Sequence, residues 1–370
     1  MISPRKRRGL IALVISAVLA AIILVSPMPF AIEMPGPTWD TLGVSTITNT
    51  DGTKTKVPLI TVNGAPSYPT TGSLDLLTVS VAGSPAHHPL IGDIVLAWLS
   101  PERAVVPMDL IYPPDISTEE QDKENAAAMV DSQQEAIAAA FTNLGYDVSQ
   151  VKIDKIYDGS PATGKLQVGD IVKSVNGTKV ATVLQMRGVL ATNGVSEPAS
   201  FAVIRAGKSF TVEITPVLSK ADANGKQVPV INVLGGSVYT FPFEVKIRLD
   251  DVGGPSAGLM FSLGVIDKIT PHALPGGRKI AGTGTIDTLG NVGSIGGIRQ
   301  KMFGARTAGA EYMFVPSGNC AEAAGHVPAG IRVFKVGTLN EALTALKVIS
   351  QPDSDSGRSA ALDKLPTCTK

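Results

Sequence analysis

The alternation of apolar and polar positions divides the chain into stretches of different character. An apolar run, "LIALVISAVLAAIILV", lies within an uncharged stretch from Gly9 to Ile32 and follows the basic cluster "SPRKRRGL". A secretory apolar region typically has about 7–15 residues, whereas a membrane-spanning helix needs about 17–25. Residues 10–32 are therefore expected to form an uncleaved transmembrane anchor, because no small-x-small cleavage site follows them. The basic flank predicts that residues 1–9 stay in the cytoplasm and that everything after Glu33 lies outside, at the cell membrane.

Beyond the anchor, short alternating runs such as "LDLLTVSVAG" and "DIVLAWLS", separated by Pro, Gly, Asn and Ser, read as strands and turns. With the charged linker "DISTEEQDKEN" they make a β-rich segment over 33–125. The alanine-rich stretch "AAAMVDSQQEAIAAAFTNLG" reads as a helix stopped at Gly145. Strand, turn, strand, the helical "VATVLQMRGVLATNG" and the hairpin "SFAVIRAGKSFTVEITP" follow, so residues 126–218 form one α+β unit. After the polar linker "SKADANGKQ", residues 228–349 alternate strands with helices, an α/β pattern. The polar tail, 350–370, is expected to be disordered.

Composition removes several classes of function. Lysines plus arginines number 32, equal to aspartates plus glutamates, and aromatics are only 5%. There is no basic stripe interleaved with aromatics, so no nucleic-acid partner is expected. The 4 histidines and 2 cysteines form neither H-E-x-x-H nor C-x-x-C, so neither a metal nor any other cofactor is expected. A bridge between Cys320 and Cys368 stays open, with the polar tail around Cys368 arguing against it. The stretch "GSPATGK", Gly159–Lys165, imitates the start of a phosphate-binding loop, but Leu166 stands where Ser or Thr is required and Pro161 removes one N–H.

The candidate chemistry centres on "DDVGGPSAGLMFSLGVI", where Ser256 sits between a glycine turn and an apolar helix. Two readings are open: an N-cap serine, or a nucleophile near the positive end of a helix dipole. A nucleophile needs a base, and His87, His88, His272 and His326 come with no evident orienting carboxylate. Lysine can serve instead. Lys301, early in the helical "GGIRQKMFGARTAG" beside Met302 and Phe303, is placed to be desolvated, which lowers a lysine pKa.

Two resemblances extend this reading. The succession in "KIYDGSPATGKLQVGDIVKSVNGTKV" resembles PDZ domains, which take up peptide C-termini by strand addition. Leu144, Gly145 and Tyr146 occupy the place of the family's carboxylate-binding loop, with Asn143 where its first glycine is usual. Residues 228–349 resemble the proteolytic domain of the Lon (S16) serine proteases: Gly254–Gly258 match G-P-S-A-G, "SIGGIRQK" ends at the matching lysine, and Thr283–Ile286 match T-G-x-I. Asp250 and Asp251 are displaced from the usual acidic position, and Thr285 stands where many relatives carry glutamate.

The resemblance implies Ser256 as nucleophile, Lys301 as base, Thr283 steadying the lysine, and backbone N–H groups of Ser256 and the preceding glycine turn at Gly254 as oxyanion donors. With the anchor and the PDZ-like unit it implies an ATP-independent, membrane-held endopeptidase acting on unfolded or extended extracytoplasmic proteins and peptides. Its partners would then be protein or peptide substrates and the lipid bilayer, and assembly into a homo-oligomeric ring is suggested by resemblance alone. The competing expectation is a membrane-anchored PDZ adaptor with an inactive protease fold, but both Ser256 and Lys301 are retained.

Overall fold

A six-stranded mixed sheet organises the unit that carries Ser256. Its spatial order is Arg332–Val336, Tyr312–Pro316, Lys279–Gly282, Ser73–Ala82, Phe30–Asp40 and Ala104–Pro107. The first four strands run parallel to one another; Phe30–Asp40 runs antiparallel to both of its neighbours. Parallel strands are covered on both faces, and every residue of Tyr312–Pro316 is buried. The computed structural model describes residues 4–48, 51–222, 225–249 and 252–368. It forms two compact units, Met1–Ala140 with Glu244–Lys370, and Phe141–Phe243.

The two helices that matter for chemistry lie on opposite faces of this sheet. Adjacent residues of a strand point to opposite sides. Ala281 packs into a cluster with Ile298, Met302 and Ala305 of helix Ile298–Thr307. At the next residue, Gly282, a Cβ would lie 2.4 Å from Met260 Sδ of helix Gly258–Ile269. Close backbone approach is what glycine permits here.

Three expectations are corrected. Residues 33–125 are not a separate segment, since three strands, Phe30–Asp40, Ser73–Ala82 and Ala104–Pro107, complete the sheet of residues 279–336. The physical reason is register: Ser73–Leu76 pair with Lys279–Gly282, a contact that local pattern does not encode. The expected span 10–32 is not one helix. The N-terminal helix covers Pro4–Leu24, Pro27 bridges to Leu90, and Phe30 already begins a strand whose Ala31 and Ile32 are buried. Residues before proline favour extended backbone, and Pro27 and Pro29 end the helical option. From Gly9 to Leu24 the rise is about 24 Å at ~1.5 Å per residue, short of a hydrocarbon core of ~30 Å. Among the described residues no helix is long and apolar enough to cross a membrane.

The tail is ordered, not disordered. Helix Arg358–Asp363 buries Leu362, Arg358 donates to Tyr312 Oη at 2.8 Å, and Lys335 N–H donates to Pro366 O at 2.8 Å. Cys320 and Cys368 form a disulfide, with Cys368 packed against the cluster around Met313. The polar composition concealed these few anchoring contacts.

The second unit is a sheet in the order Lys208–Ile214, Ala199–Arg205, Ile171–Val175, Ser149–Ile156, Val233–Tyr239. Val151, Ile153, Val172, Phe201 and Val203 form its core with Met186 and Leu190 of helix Val183–Asn193. Thr182 caps that helix by accepting from Gln185 N–H at 3.1 Å. The buried Asp170 receives two hydrogen bonds of 2.7 Å from Arg205. In the loop Gly159–Lys165, Ser160, Thr163 and Lys165 N–H groups donate to carbonyls of Tyr157, Ser160 and Ala162, so they form no phosphate cradle.

Candidate active site

Ser256 stands in the turn before helix Gly258–Ile269, whose N-cap is Ala257 with no side-chain capping bond. Ser256 is therefore not the cap. The turn is shaped by Gly254, held at φ +84°, a conformation costly for residues with a Cβ. Gly254 N–H donates to Asn125 O at 3.0 Å, and Ser132 Oγ donates to Pro255 O at 3.0 Å. Both partners come from helix Thr118–Asn143, which begins inside the stretch expected as a linker. Because its N–H is committed to Asn125, Gly254 shapes the turn and is not an oxyanion donor.

On the other side the turn is held by the chain leaving strand Lys279–Gly282. Thr283 Oγ1 donates to Ser256 O at 3.0 Å and Gly284 N–H donates to the same carbonyl at 2.9 Å. Leu259 N–H in turn donates to Gly284 O at 3.0 Å. The turn at Ser256 and the strand end thus clamp each other through backbone.

Lys301 reaches this point from the helix on the opposite face. Its Nζ lies 2.7 Å from Ser256 Oγ and 3.2 Å from Thr283 Oγ1. Thr283 is fully buried and Lys301 is 3% exposed. Burial takes the ammonium out of water and pushes its pKa down from 10.5 to about 8. The hydroxyl of Thr283 has its proton on Ser256 O, which leaves its lone pairs to accept from Lys301. Lys301 is therefore aimed at Ser256 Oγ by a group that is itself fixed. Asp250 and Asp251 lie outside the described residues. Thr285 belongs to a short strand paired with Val292–Gly293.

Ser256 and Lys301 open into a cleft of about 420 Å³. Its walls include Trp39, Thr78, Val79, Ser80 and Val81 of the two antiparallel strands, with Glu33 at one side. No histidine is among its lining residues. Ser132, Asn125 and the residues of these strands are site components that sequence reasoning missed. Only the fold brings them near Ser256, and no local motif marks them.

The other predicted site residues lie elsewhere. Leu144–Tyr146 form the turn closing helix Thr118–Asn143, with Gly145 at φ +88° and Tyr146 N–H donating to Phe141 O at 3.0 Å. Strand Ser149–Ile156 begins just beyond them, and Ile171–Val175 lies on one side of it. Its other edge, the one next to Leu144–Tyr146 in sequence, is filled by Val233–Tyr239 of the same chain, antiparallel, with Val233 opposite Ile156 and Tyr239 opposite Ser149. Phe141, Tyr146, Phe241 and Phe243 pack together at the turn. The expected groove at Leu144, Gly145 and Tyr146 is thus occupied from within, because strand addition is satisfied intramolecularly.

Comparison with known proteins finds relatives of two parts of the chain. Residues 251–347 match the family model of the Lon protease (S16) C-terminal proteolytic domain, and residues 117–215 match the PDZ domain. Lon protease 2 of Herpetosiphon aurantiacus is 35% identical over 140 residues, 34% of this chain and 17% of the relative. Lon protease 2 of Bacillus subtilis is 27% identical over 172 residues, 45% of this chain and 29% of the relative. The chain thus matches less than a third of the length of either. The solved PDZ domain of the SdrC-like protein of Listeria monocytogenes is 20% identical, covering 24% of this chain and 88% of its own, with a TM-score of 0.21. The chain carries a Lon-type proteolytic domain and a PDZ-like domain.

Proposed function

We propose that the chain is a serine endopeptidase in which Ser256 is the nucleophile and Lys301 its general base. The observation that carries this reading is the 2.7 Å approach of a buried lysine, with its pKa brought down to about 8, to Ser256 Oγ. In the neutral amine the nitrogen lone pair accepts the Oγ–H proton as Oγ attacks the scissile carbonyl, and the proton passes on to the leaving amine. The acyl-enzyme is then hydrolysed by water activated through the same lysine. Ser256 N–H, in the turn that opens the helix, is the donor we assign to the developing oxyanion. Thr283 keeps Lys301 in place through both steps.

The substrates are extended segments. Strand Ser73–Ala82 pairs with Lys279–Gly282 only as far as Leu76, and residues 77–82 continue past it along the cleft. An extended peptide added to that edge brings a carbonyl beside Ser256. We read the reaction as needing no ATP, because the serine–lysine chemistry supplies both nucleophile and base from the chain itself. It is held at the membrane by its N-terminal apolar helix. This is supported by the side chains from Leu10 to Val25, whose large hydrophobics are 46–66% exposed.

Casein cleavage by wild type, Ser256→Ala, Lys301→Met and the double variant tests the chemistry. Each single change is expected to abolish cleavage, and their effects should not multiply, because nucleophile and base act as a unit. A Lys301→Met enzyme retaining more than a few per cent of the wild-type rate would show the base assignment to be wrong.

A further inference from the structure

Helix Ile91–Trp98 is apolar on both sides. It buries Ile94 and Ala97 against Ile32, Met28 and Phe30. Its outer face nevertheless presents Leu96 at 62% and Trp98 at 69% exposure, and Leu99 follows at 78%. Leu110, on the short turn Met108–Ile111, is 72% exposed. A helix that is hydrophobic all round is normally buried, and a contiguous exposed apolar patch marks an interaction surface.

The position of the helix indicates what covers it. Ile91 N–H donates to Ser26 O at 3.0 Å and Met28 N–H to Pro89 O at 3.0 Å, and Pro27 bridges Leu90. A Cβ at Gly92 would lie 3.3 Å from Leu24 O. The helix is therefore fixed to the chain just where the N-terminal apolar helix ends. Leu110 sits on the same junction, since Met108 N–H donates to Pro29 O at 3.1 Å. With 8 residues the helix extends about 12 Å from this junction. That length exceeds the roughly 5–8 Å that the headgroups of one leaflet add to the hydrocarbon thickness, so the helix would lie along the surface rather than across it.

We propose that Leu96, Trp98, Leu99 and Leu110 form a second membrane contact, lying in the headgroup–acyl boundary and seating the protease unit on the lipid surface. The exposed N-terminal helix is continuous with this patch, which selects lipid over a second copy of the chain. Tryptophan suits such a place because its ring is apolar while its indole N–H reaches the wet layer. Asp93 does not oppose the contact from the apolar face, as its carboxylate accepts from Leu90 N–H at the start of the helix. The inference rests on the membrane attachment proposed above, and adds a contact that an N-terminal helix alone does not require.

The test uses the full chain bound to phosphatidylcholine–phosphatidylglycerol vesicles. The protein has 2 tryptophans, so Trp39→Phe leaves Trp98 as the reporter. The expected result is quenching of Trp98 by lipids brominated at shallow chain positions, with acrylamide quenching reduced severalfold. Leu96→Asp with Leu99→Asp, both at exposed positions, should abolish the bromolipid quenching while the chain still floats with vesicles. On the unaltered chain, hydrogen exchange of residues 90–99 should slow on vesicle binding, a reading that does not depend on how Trp39→Phe folds. A floating chain whose Trp98 stays open to acrylamide overturns the proposal alone. So does shielding that ignores bromolipid and follows the protein-to-lipid ratio, which would mean a second copy. A chain that does not float overturns this inference and the membrane attachment together, leaving the peptidase reading untouched.

Discussion

Replacing Lys301 by methionine should remove catalysis and, at neutral pH, stabilise the protease unit. The wild-type side chain is 3% exposed and has its pKa lowered from 10.5 to about 8 by burial. The sign follows from linkage. Between pH 8 and 10.5 the unfolded chain holds a proton that the folded chain has released, so stability rises with pH through that window. Below pH 8 the whole penalty is present, and at about 1.4 kcal/mol per pH unit it amounts to roughly 3 kcal/mol. Methionine fills a similar volume without charge, at the loss of hydrogen bonds to Ser256 and Thr283 worth about 1 kcal/mol. The expected gain is thus about 2 kcal/mol at pH 7, vanishing or reversing above pH 10. Urea unfolding of both proteins at pH 7 and pH 10, followed by Trp39 fluorescence in the cleft, measures it. A variant less stable at pH 7, or a gain that does not change with pH, would refute a lysine held at the expense of its charge. The wild-type kcat/KM should correspondingly climb about fivefold from pH 7 to 8 and level off above 9, as the neutral fraction rises from about a tenth to near unity.

Other consequences are accessible to simple variants. Gly145→Glu should lower the stability of the PDZ-like unit by about 1–2 kcal/mol, since φ there is +88°. It should leave the ratio of kcat/KM for a tailed protein and a short peptide unchanged, because Val233–Tyr239 already fills the edge; a selective rise in KM for the tailed protein would show an open groove. Cys368→Ser frees a loop of 48 residues and should lower stability by up to about 4 kcal/mol, read as a shift in urea midpoint that reducing agent reproduces in the wild type. Arg205→Ala takes two hydrogen bonds from the buried Asp170 and should lower the urea midpoint of the PDZ-like unit; an unchanged midpoint would mean that water or another donor replaces the guanidinium.

What local sequence could reveal was chemistry carried by short, contiguous signals. The turn before Ser256, the apolar helix after it, and Lys301 one turn into its own helix are visible because each depends on neighbours within a few residues. The strands that complete each sheet are not visible in this way. Ser73–Leu76 find Lys279–Gly282 across two hundred residues, and Val233–Tyr239 find Ser149–Ile156 across a polar linker that looks like a domain boundary. Strand pairing at long range depends on register and packing, which a local pattern leaves open. Asn125 was hidden for a related reason, since the charged residues before it suggested a linker whereas it lies in helix Thr118–Asn143; Ser132 fell in the expected helix, but nothing local tied it to the carbonyl of Pro255. The disulfide was obscured because composition reported the average of the tail and not the few contacts that fix it.

The central claim is a serine activated by a buried neutral lysine, and labelling tests it most directly. The intact protein would be treated with a fluorophosphonate that phosphonylates activated serines, and the site located by peptide mapping. The expected result is one adduct per chain, on Ser256, formed at a rate that rises with an apparent pKa near 8; Lys301→Met should lose the adduct while remaining folded. An adduct on another serine, none at Ser256, or undiminished labelling in Lys301→Met would contradict the pairing that the 2.7 Å contact represents.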